Sequence, residues 1–123
     1  MPGNRILIID DELEMHWALE KGLAQEGYHI VKADNGEDGL RILSEENISV
    51  VLLDYKMPGM TGLEVLEEIR QRWPELPVIF MTGYNSITTA TDSMAKGTTA
   101  YVSKPFRLDD LKVTLRRALG SEL

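Results

Sequence analysis

The segment Ile6-Leu7-Ile8-Ile9-Asp10-Asp11-Glu12 joins four consecutive apolar residues to three consecutive acids. An uninterrupted apolar run of this length is typical of a strand that is buried on both faces, as in a parallel sheet. Similar apolar runs follow along the chain, at 30–31, 50–53, 78–81 and 101–102. The first segment therefore predicts a buried strand whose carboxyl end carries a cluster of carboxylates.

Segments with the spacing of amphipathic helices separate these runs. Five helices are predicted. The residues that would share one face of each helix, taken in chain order, are Met15, Leu19, Gly22 and Leu23; Leu40 and Leu43; Val65, Leu66 and Ile69; Ile87, Ala90, Thr91 and Met94; and Leu108, Leu111, Leu115 and Ala118. Strands that alternate with helices predict an α/β fold, with helices on both faces of a parallel sheet. For this size we expect a flavodoxin-like, doubly wound five-stranded parallel sheet in the order 2-1-3-4-5 with five helices.

The composition predicts that these elements form one acidic domain. The chain has 123 residues, 43% of them hydrophobic, which predicts a single domain over 1–123. Its net charge of -7 disfavours direct nucleic acid binding and favours attraction of a cation. Because the chain contains no cysteine, disulfides, thiolate metal sites and cysteine nucleophiles are excluded. Without a signal peptide pattern or an apolar run of about 18 residues, we expect a cytoplasmic protein with no membrane span.

Polar residues collect directly at the ends of the predicted strands. Asp10 and Asp11 follow the first strand, Asp54 ends the third, Thr82 ends the fourth, and Lys104 follows the fifth. In a doubly wound sheet, sites form outside the carboxyl ends of the strands at a topological switch point. Strands one and three flank that point in the predicted order. We therefore expect these five side chains to converge on one pocket.

The chemistry of these residues is complementary. Carboxylates about 4 Å apart repel one another by about 1 to 4 kcal/mol per pair, so the cluster needs a cation, a nearby base or a shared proton. Oxygen ligands without His or Cys favour Mg2+, or else Mn2+, over zinc. The Asp54 carboxylate is a candidate nucleophile that would form an aspartyl phosphate. Mg2+ would then contact one phosphoryl oxygen, the Lys104 ammonium a second, and the Thr82 hydroxyl with nearby backbone N–H groups the third.

Four motifs at the strand ends resemble one known family. They are Ile9-Asp10-Asp11-Glu12, the segment Leu-Leu-Asp-Tyr-Lys-Met-Pro-Gly-Met-Thr-Gly at 52–62, Met81-Thr82-Gly83 and Lys104-Pro105-Phe106. Together, and in this order, they resemble the receiver domains of bacterial two-component response regulators. The resemblance runs from about Arg5 to Leu119. It implies a phosphoacceptor signalling domain that is not an enzyme in its own right, although it assists its own phosphotransfer and autodephosphorylation.

The resemblance implies a metal site made of Asp10, Asp11, Asp54 and Lys56. Asp54 is the expected phosphoacceptor and Asp11 the expected direct ligand of Mg2+. Asp10 is expected to act largely through water, and Lys56 to contribute its backbone carbonyl oxygen.

A switch made of Thr82, Lys104 and Tyr101 is also implied by the resemblance. Thr82 is expected to supply a hydroxyl that moves towards the phosphoryl group, and Lys104 the cation that pairs with that group. Tyr101 is expected to turn inward on activation, although ordinary β-strand packing also explains it. The responding surface would be formed by the fourth helix, the fifth strand and the fifth helix.

The resemblance also implies partners. A sensor histidine kinase is the expected phosphodonor, and an output domain or partner protein is the expected recipient of the signal, with a phosphorylation-dependent homodimer as a further expectation. The segments Trp17-Ala18-Leu19-Glu20 and Met81-Thr82-Gly83 are similar to nitrogen-regulator-type activators.

Alternative interpretations exist for the pattern and for single residues. A flavodoxin-like FMN-binding protein would share the fold, but the acids after strand one would repel the FMN phosphate. A Mg2+-dependent phosphatase usually has a second Asp two residues after its nucleophile, where this chain has Lys56. The acids at 10–12 could instead complement a helix dipole. We interpret His16 and His29, which lack metal-ligand spacing, as surface residues.

Overall fold

A five-stranded parallel sheet forms the centre of the molecule. The computed structural model describes residues 4–55, 57, 59–83, 99–104 and 106–120, with the backbone alone at 82–83 and 103–104. The strands are β1 (Arg5–Ile9), β2 (His29–Ala33), β3 (Val50–Asp54), β4 (Val78–Gly83) and β5 (Ala100–Lys104). They lie in the order β2-β1-β3-β4-β5, and all four neighbouring pairs are parallel. The predicted sheet order is therefore confirmed.

Four helices are described, and they cover both faces of this sheet. They are α1 (Leu13–Ala24), α2 (Gly36–Glu45), α3 (Gly62–Arg72) and α4 (Leu108–Ala118). These match the first, second, third and fifth helices predicted from the sequence. The predicted fourth helix falls at 84–98, outside the described residues. Among the described helices, none is long and apolar enough to cross a membrane.

The continuous apolar runs supply two cores, because successive side chains of a strand point to opposite faces. Leu7 and Ile9 of β1 belong to a buried cluster that includes residues of α2 and α3. Ile6 and Ile8 belong to a second cluster that includes residues of α1 and α4. All five residues of β3 are buried. A strand buried on both faces has little freedom to move, and this fixes the position of the residues that follow it.

The surface interpretation of the histidines is correct for His29 and wrong for His16. His29 begins β2 and is exposed, whereas only 5% of His16 is exposed. His16 lies three residues before Leu19 and seven before Leu23, which are the other buried residues of α1. A helix places residues with these spacings on one face, so its position on the helix, and not its lack of metal partners, decides its burial.

The helix that follows β3 begins with a complete capping box. The Thr61 hydroxyl oxygen accepts a hydrogen bond from the Glu64 N–H at 3.2 Å, and a Glu64 carboxylate oxygen accepts one from the Thr61 N–H at 2.8 Å. Both interactions satisfy backbone donors that the helix itself leaves unpaired. They fix the point at which the loop after β3 becomes α3.

Replacement of the cap tests this assignment. We expect Thr61→Ala to lower the free energy of unfolding by about 1 kcal/mol, because one backbone N–H of α3 loses its acceptor. Urea denaturation monitored by circular dichroism measures the change. Ser44→Ala, at an exposed hydroxyl inside α2, is the matched control. Equal stability losses in the two variants would contradict the capping role.

Candidate functional site

Three carboxylates meet at the carboxyl edge of the sheet. One oxygen each from Asp10, Asp11 and Asp54 lies within 4.8 Å of the other two. Asp10 and Asp11 directly follow β1, and Asp54 is the last residue of β3. The parallel pairing of Ile9 with Leu53 places Asp10 and Asp54 at the same level of the two neighbouring strands. The switch point of the sheet therefore brings these residues together, as expected for a doubly wound fold.

The three acids differ in their access to water. Asp10 is fully buried and Asp54 is only 6% exposed, whereas Asp11 is exposed. The Asp10 backbone N–H donates to the Ala33 carbonyl oxygen at 3.1 Å, and the Asp10 Oδ1 accepts from the Glu12 N–H at 2.9 Å. These hydrogen bonds attach the buried carboxylate to the neighbouring strand and to the residue that precedes α1. Asp10 is thus fixed, and Asp11 forms the solvent side of the cluster.

The electrostatics of this cluster favour a cation. Each pair of charges repels by about 1 to 4 kcal/mol, depending on whether the effective dielectric is that of water or of a protein surface. Burial adds to this repulsion, because a carboxylate removed from water loses hydration. Within the described ranges, no other group of three His, Cys, Asp or Glu side chains lies close enough to hold a metal ion. A donor set made only of carboxylate oxygens fits a hard divalent ion such as Mg2+.

The backbone that carries Asp54 is held from two sides. Asp54 pairs with Met81 of β4, and the Tyr55 N–H donates to the Met81 carbonyl oxygen at 3.0 Å. On the other side, the Gly62 N–H at the start of α3 donates to the Tyr55 carbonyl oxygen at 2.8 Å. The Tyr55 ring meets the Phe80 ring edge to face, with centroids 6.0 Å apart. The loop after β3 therefore leaves the sheet in a defined direction.

The structure describes less of the remaining predicted site residues, Thr82, Lys104 and Lys56. Thr82 and Lys104 lie on β4 and β5 near the carboxyl edge, where Thr82 pairs with Ser103 and Gly83 with Lys104. Only their backbone is described, and Lys56 lies outside the described residues. Tyr101 pairs with Phe80, and 40% of its surface is exposed. Motif reasoning missed Gly62 as a candidate, although it ends the motif that contains Asp54.

Two cavities lie away from the carboxylates. One, of about 350 Å3, lies between α1 and α2 beside β2 and is lined in part by His16, Trp17 and Ile42. The other, of about 280 Å3, is almost entirely apolar and is lined by Met15, Ala18, Leu19, Phe106 and Leu108. Neither includes a carboxylate of the cluster. Both cavities are therefore separate from the carboxylate cluster.

Comparison with known proteins identifies a family that contains these features. The sequence of residues 6–116 matches the response regulator receiver domain family. The regulatory protein AtoC of Escherichia coli strain K12 is 40% identical over 116 residues, which cover 94% of this chain and 25% of AtoC. The DNA-binding transcriptional regulator NtrC of the same strain is 36% identical over 115 residues, covering 94% of this chain and 24% of NtrC. The chain therefore spans about a quarter of the length of these relatives.

Solved structures agree with this result. The receiver domain of NtrX from Brucella abortus superposes with a TM-score of 0.90 at 31% identity, covering 95% of this chain and 99% of that domain. A response regulator receiver domain protein from Clostridium thermocellum gives a TM-score of 0.91 at 33% identity, covering 95% and 94% of the two chains. The predicted fold and the resemblance to nitrogen-regulator-type receivers are both confirmed.

The repulsion within the cluster can be measured. We expect Asp11→Asn to leave the metal-free protein as stable as the wild type or slightly more stable, by at most about 1 kcal/mol, because Asp11 is exposed and its repulsion is screened. We expect the same substitution to reduce the increase in melting temperature that Mg2+ produces, because a charged ligand is lost. Thermal unfolding with EDTA and with MgCl2 gives both values.

Glu14→Gln, which removes an acid from the first turn of α1, is the control for a general change in charge. If Asp11→Asn kept the full Mg2+-dependent rise in melting temperature, Asp11 would not be a ligand.

Proposed function

Because the chain belongs to the response regulator receiver domain family, we propose that it is a phosphorylation-activated signalling domain whose phosphoacceptor is Asp54. The observation that carries the proposal is the convergence of the Asp10, Asp11 and Asp54 carboxylates within 4.8 Å at the carboxyl edge of the sheet. Asp54 is the last residue of β3, all five residues of which are buried, and it stands at the position that the family resemblance assigns to the phosphoacceptor. A nucleophile in such a position is oriented before the phosphodonor arrives.

The reaction transfers one phosphoryl group to Asp54. A carboxylate oxygen of Asp54 attacks phosphorus in line with the leaving group, and a new P–O bond forms. The bond from phosphorus to the donor breaks at the same time. The donor is a phosphohistidine of a sensor histidine kinase, which leaves as imidazole, or a small acyl phosphate, which leaves as a carboxylate. The product is an acyl phosphate on the Asp54 side chain.

Asp10, Asp11, Asp54 and the Lys56 backbone carbonyl would hold Mg2+, or Mn2+, in this scheme. The ion supplies positive charge for the phosphoryl oxygens. Lys104 contributes an ammonium and Thr82 a hydroxyl to the same oxygens, an assignment supported by their positions on β5 and β4 near this edge. The hydrogen bond that the Glu12 N–H donates to the Asp10 Oδ1 fixes the orientation of the Asp10 carboxylate.

The signal then passes to a surface beside β5. Thr82 moves towards the new oxygens and Tyr101 turns inward, which shifts a two-state surface that includes the predicted fourth helix, β5 and α4. Tyr101 of β5 is 40% exposed, so its side chain is accessible to a partner at this surface. An output domain, a partner protein or a second copy of the chain would bind there. The domain would work in the cytoplasm and would promote its own phosphotransfer and dephosphorylation.

An FMN carrier and a Mg2+-dependent phosphatase receive less support. The buried, acidic end of β1 occupies the place where a flavodoxin-like protein would bind the FMN phosphate. Lys56 stands two residues after Asp54, where the phosphatases usually have a second Asp. The receiver function accounts for all three clustered acids.

Incubation with acetyl phosphate and MgCl2 tests the phosphoacceptor. We expect one phosphoryl group on the wild-type protein and none on Asp54→Asn, because the amide is not a nucleophile for this reaction. A phosphate-affinity gel and intact mass spectrometry provide the measurement. Asp34→Asn, at an exposed acid in the turn after β2, should be phosphorylated as the wild type is. Equal phosphorylation of Asp54→Asn would refute the assignment.

A further inference from the structure

The first residue of α3 lies against the backbone that carries the proposed phosphoacceptor. A Cβ atom added to Gly62 would lie 2.4 Å from the Asp54 carbonyl oxygen and 2.8 Å from the Tyr55 Cα. It would also lie 2.9 Å from the Phe80 Cε1. Two of these three atoms belong to the backbone, which cannot move aside as the end of a flexible side chain can. Only glycine permits α3 to approach β3 this closely.

The close approach is accompanied by a hydrogen bond in the same place. The Gly62 N–H donates to the Tyr55 carbonyl oxygen at 2.8 Å, which closes the loop between Asp54 and α3. The Tyr55 N–H donates in the opposite direction to the Met81 carbonyl oxygen at 3.0 Å. The peptide after the acceptor is thus held between α3 and β4, and its position depends on how closely Gly62 can approach.

We propose that Gly62 is a positioning residue for phosphoryl transfer, which sets the distance of the Asp54 carboxylate from Asp10 and Asp11. The proposal rests on the function proposed above and adds to it a residue that touches neither the metal ion nor the phosphodonor. A methyl group at Gly62 needs a shift of about 1 Å, which is the difference between its 2.4 Å contact and the 3.4 Å at which ordinary contact begins. Either the backbone that carries Asp54 or the start of α3 must take up this shift, and both change how α3 holds Asp54.

Gly36 provides a matched control within the same chain. It is the first residue of α2, just as Gly62 is the first residue of α3, and each follows a residue whose side chain caps its helix. A Cβ atom at Gly36 would also be crowded, at 2.5 Å from the Val65 Cγ2 and 3.2 Å from the Met60 Cβ. Both are side-chain atoms, and neither belongs to a proposed site residue or to its backbone. The two substitutions therefore differ in what must move.

The test compares Gly62→Ala with Gly36→Ala in acetyl phosphate reactions at saturating and limiting MgCl2. A displacement of about 1 Å at a reacting group can reduce its rate by about 100-fold. For Gly62→Ala we expect a phosphorylation rate constant at least about 10-fold below that of the wild type, together with weaker apparent Mg2+ binding. For Gly36→Ala we expect both values to stay within about 3-fold of the wild type at a temperature where each variant is folded.

Three results would overturn the proposal. Gly62→Ala could react as the wild type does, Gly36→Ala could lose as much activity, or Thr61→Ala, which weakens the start of α3 without a clash, could reproduce the defect. Failure of the wild type to become phosphorylated would instead refute the proposed function itself. The two failures are therefore distinguishable.

Amide exchange in the wild-type protein gives an answer if Gly62→Ala does not fold. At a Mg2+ concentration about 100 times its dissociation constant, an amide that exchanges only when the site opens should exchange about 100-fold more slowly. We expect this slowing for the Gly62 N–H but not for the Gly39 N–H of α2, which bonds to the carbonyl oxygen of the N-cap residue Asn35. No slowing at Gly62, or equal slowing at both amides, would contradict coupling between Gly62 and the metal site.

Discussion

Mutual repulsion among the Asp10, Asp11 and Asp54 carboxylates is the constraint on which the rest of the structure depends. Free side chains would separate, and these remain within 4.8 Å because the strands that carry them are packed on both faces. The two buried clusters resist any movement that would separate β1 from β3, since such a movement would open voids in both. The stability of the sheet therefore holds three carboxylates close together against their mutual repulsion. A cation bound between the carboxylates would offset this repulsion, because each carboxylate is attracted to the ion.

The sequence predicted the parts of this arrangement that depend on local patterns. A run such as Ile6 to Ile9 needs burial on both faces, so it specifies a central parallel strand and places Asp10 at its carboxyl end. The alternation of strands and helices leaves few connections, and the observed strand order is the one expected. The motifs identified the family because four of them occur at the ends of the correct strands.

Features that depend on contacts between distant residues were not predicted. The lack of metal-ligand spacing predicts that His16 lies on the surface, yet His16 shares a buried helical face with Leu19 and Leu23. The requirement for glycine at 62 arises where α3 meets the end of β3, and no periodicity in the sequence reports that distance. Similarly, the resemblance implies that Asp11 binds Mg2+ directly and Asp10 largely through water, but only the structure shows that Asp10 is buried and Asp11 exposed.

The supports around Asp54 also indicate which side of the site can respond to phosphorylation. On the α3 side, Gly62 is in close contact with the Asp54 carbonyl oxygen, so movement in that direction meets backbone. On the neighbouring strand β4, Phe80 and Met81 are fully buried. Asp11 is exposed, so a phosphodonor can approach from solvent on its side of the cluster. Under the proposed function, we expect the rearrangement that phosphorylation drives to occur towards the carboxyl ends of β4 and β5, where the backbones of Thr82 and Lys104 lie. A fixed position of Asp54 would favour this response. The contacts that the phosphoryl group forms would then stabilise a new position of Thr82 and Tyr101, while Asp54 itself stays in place.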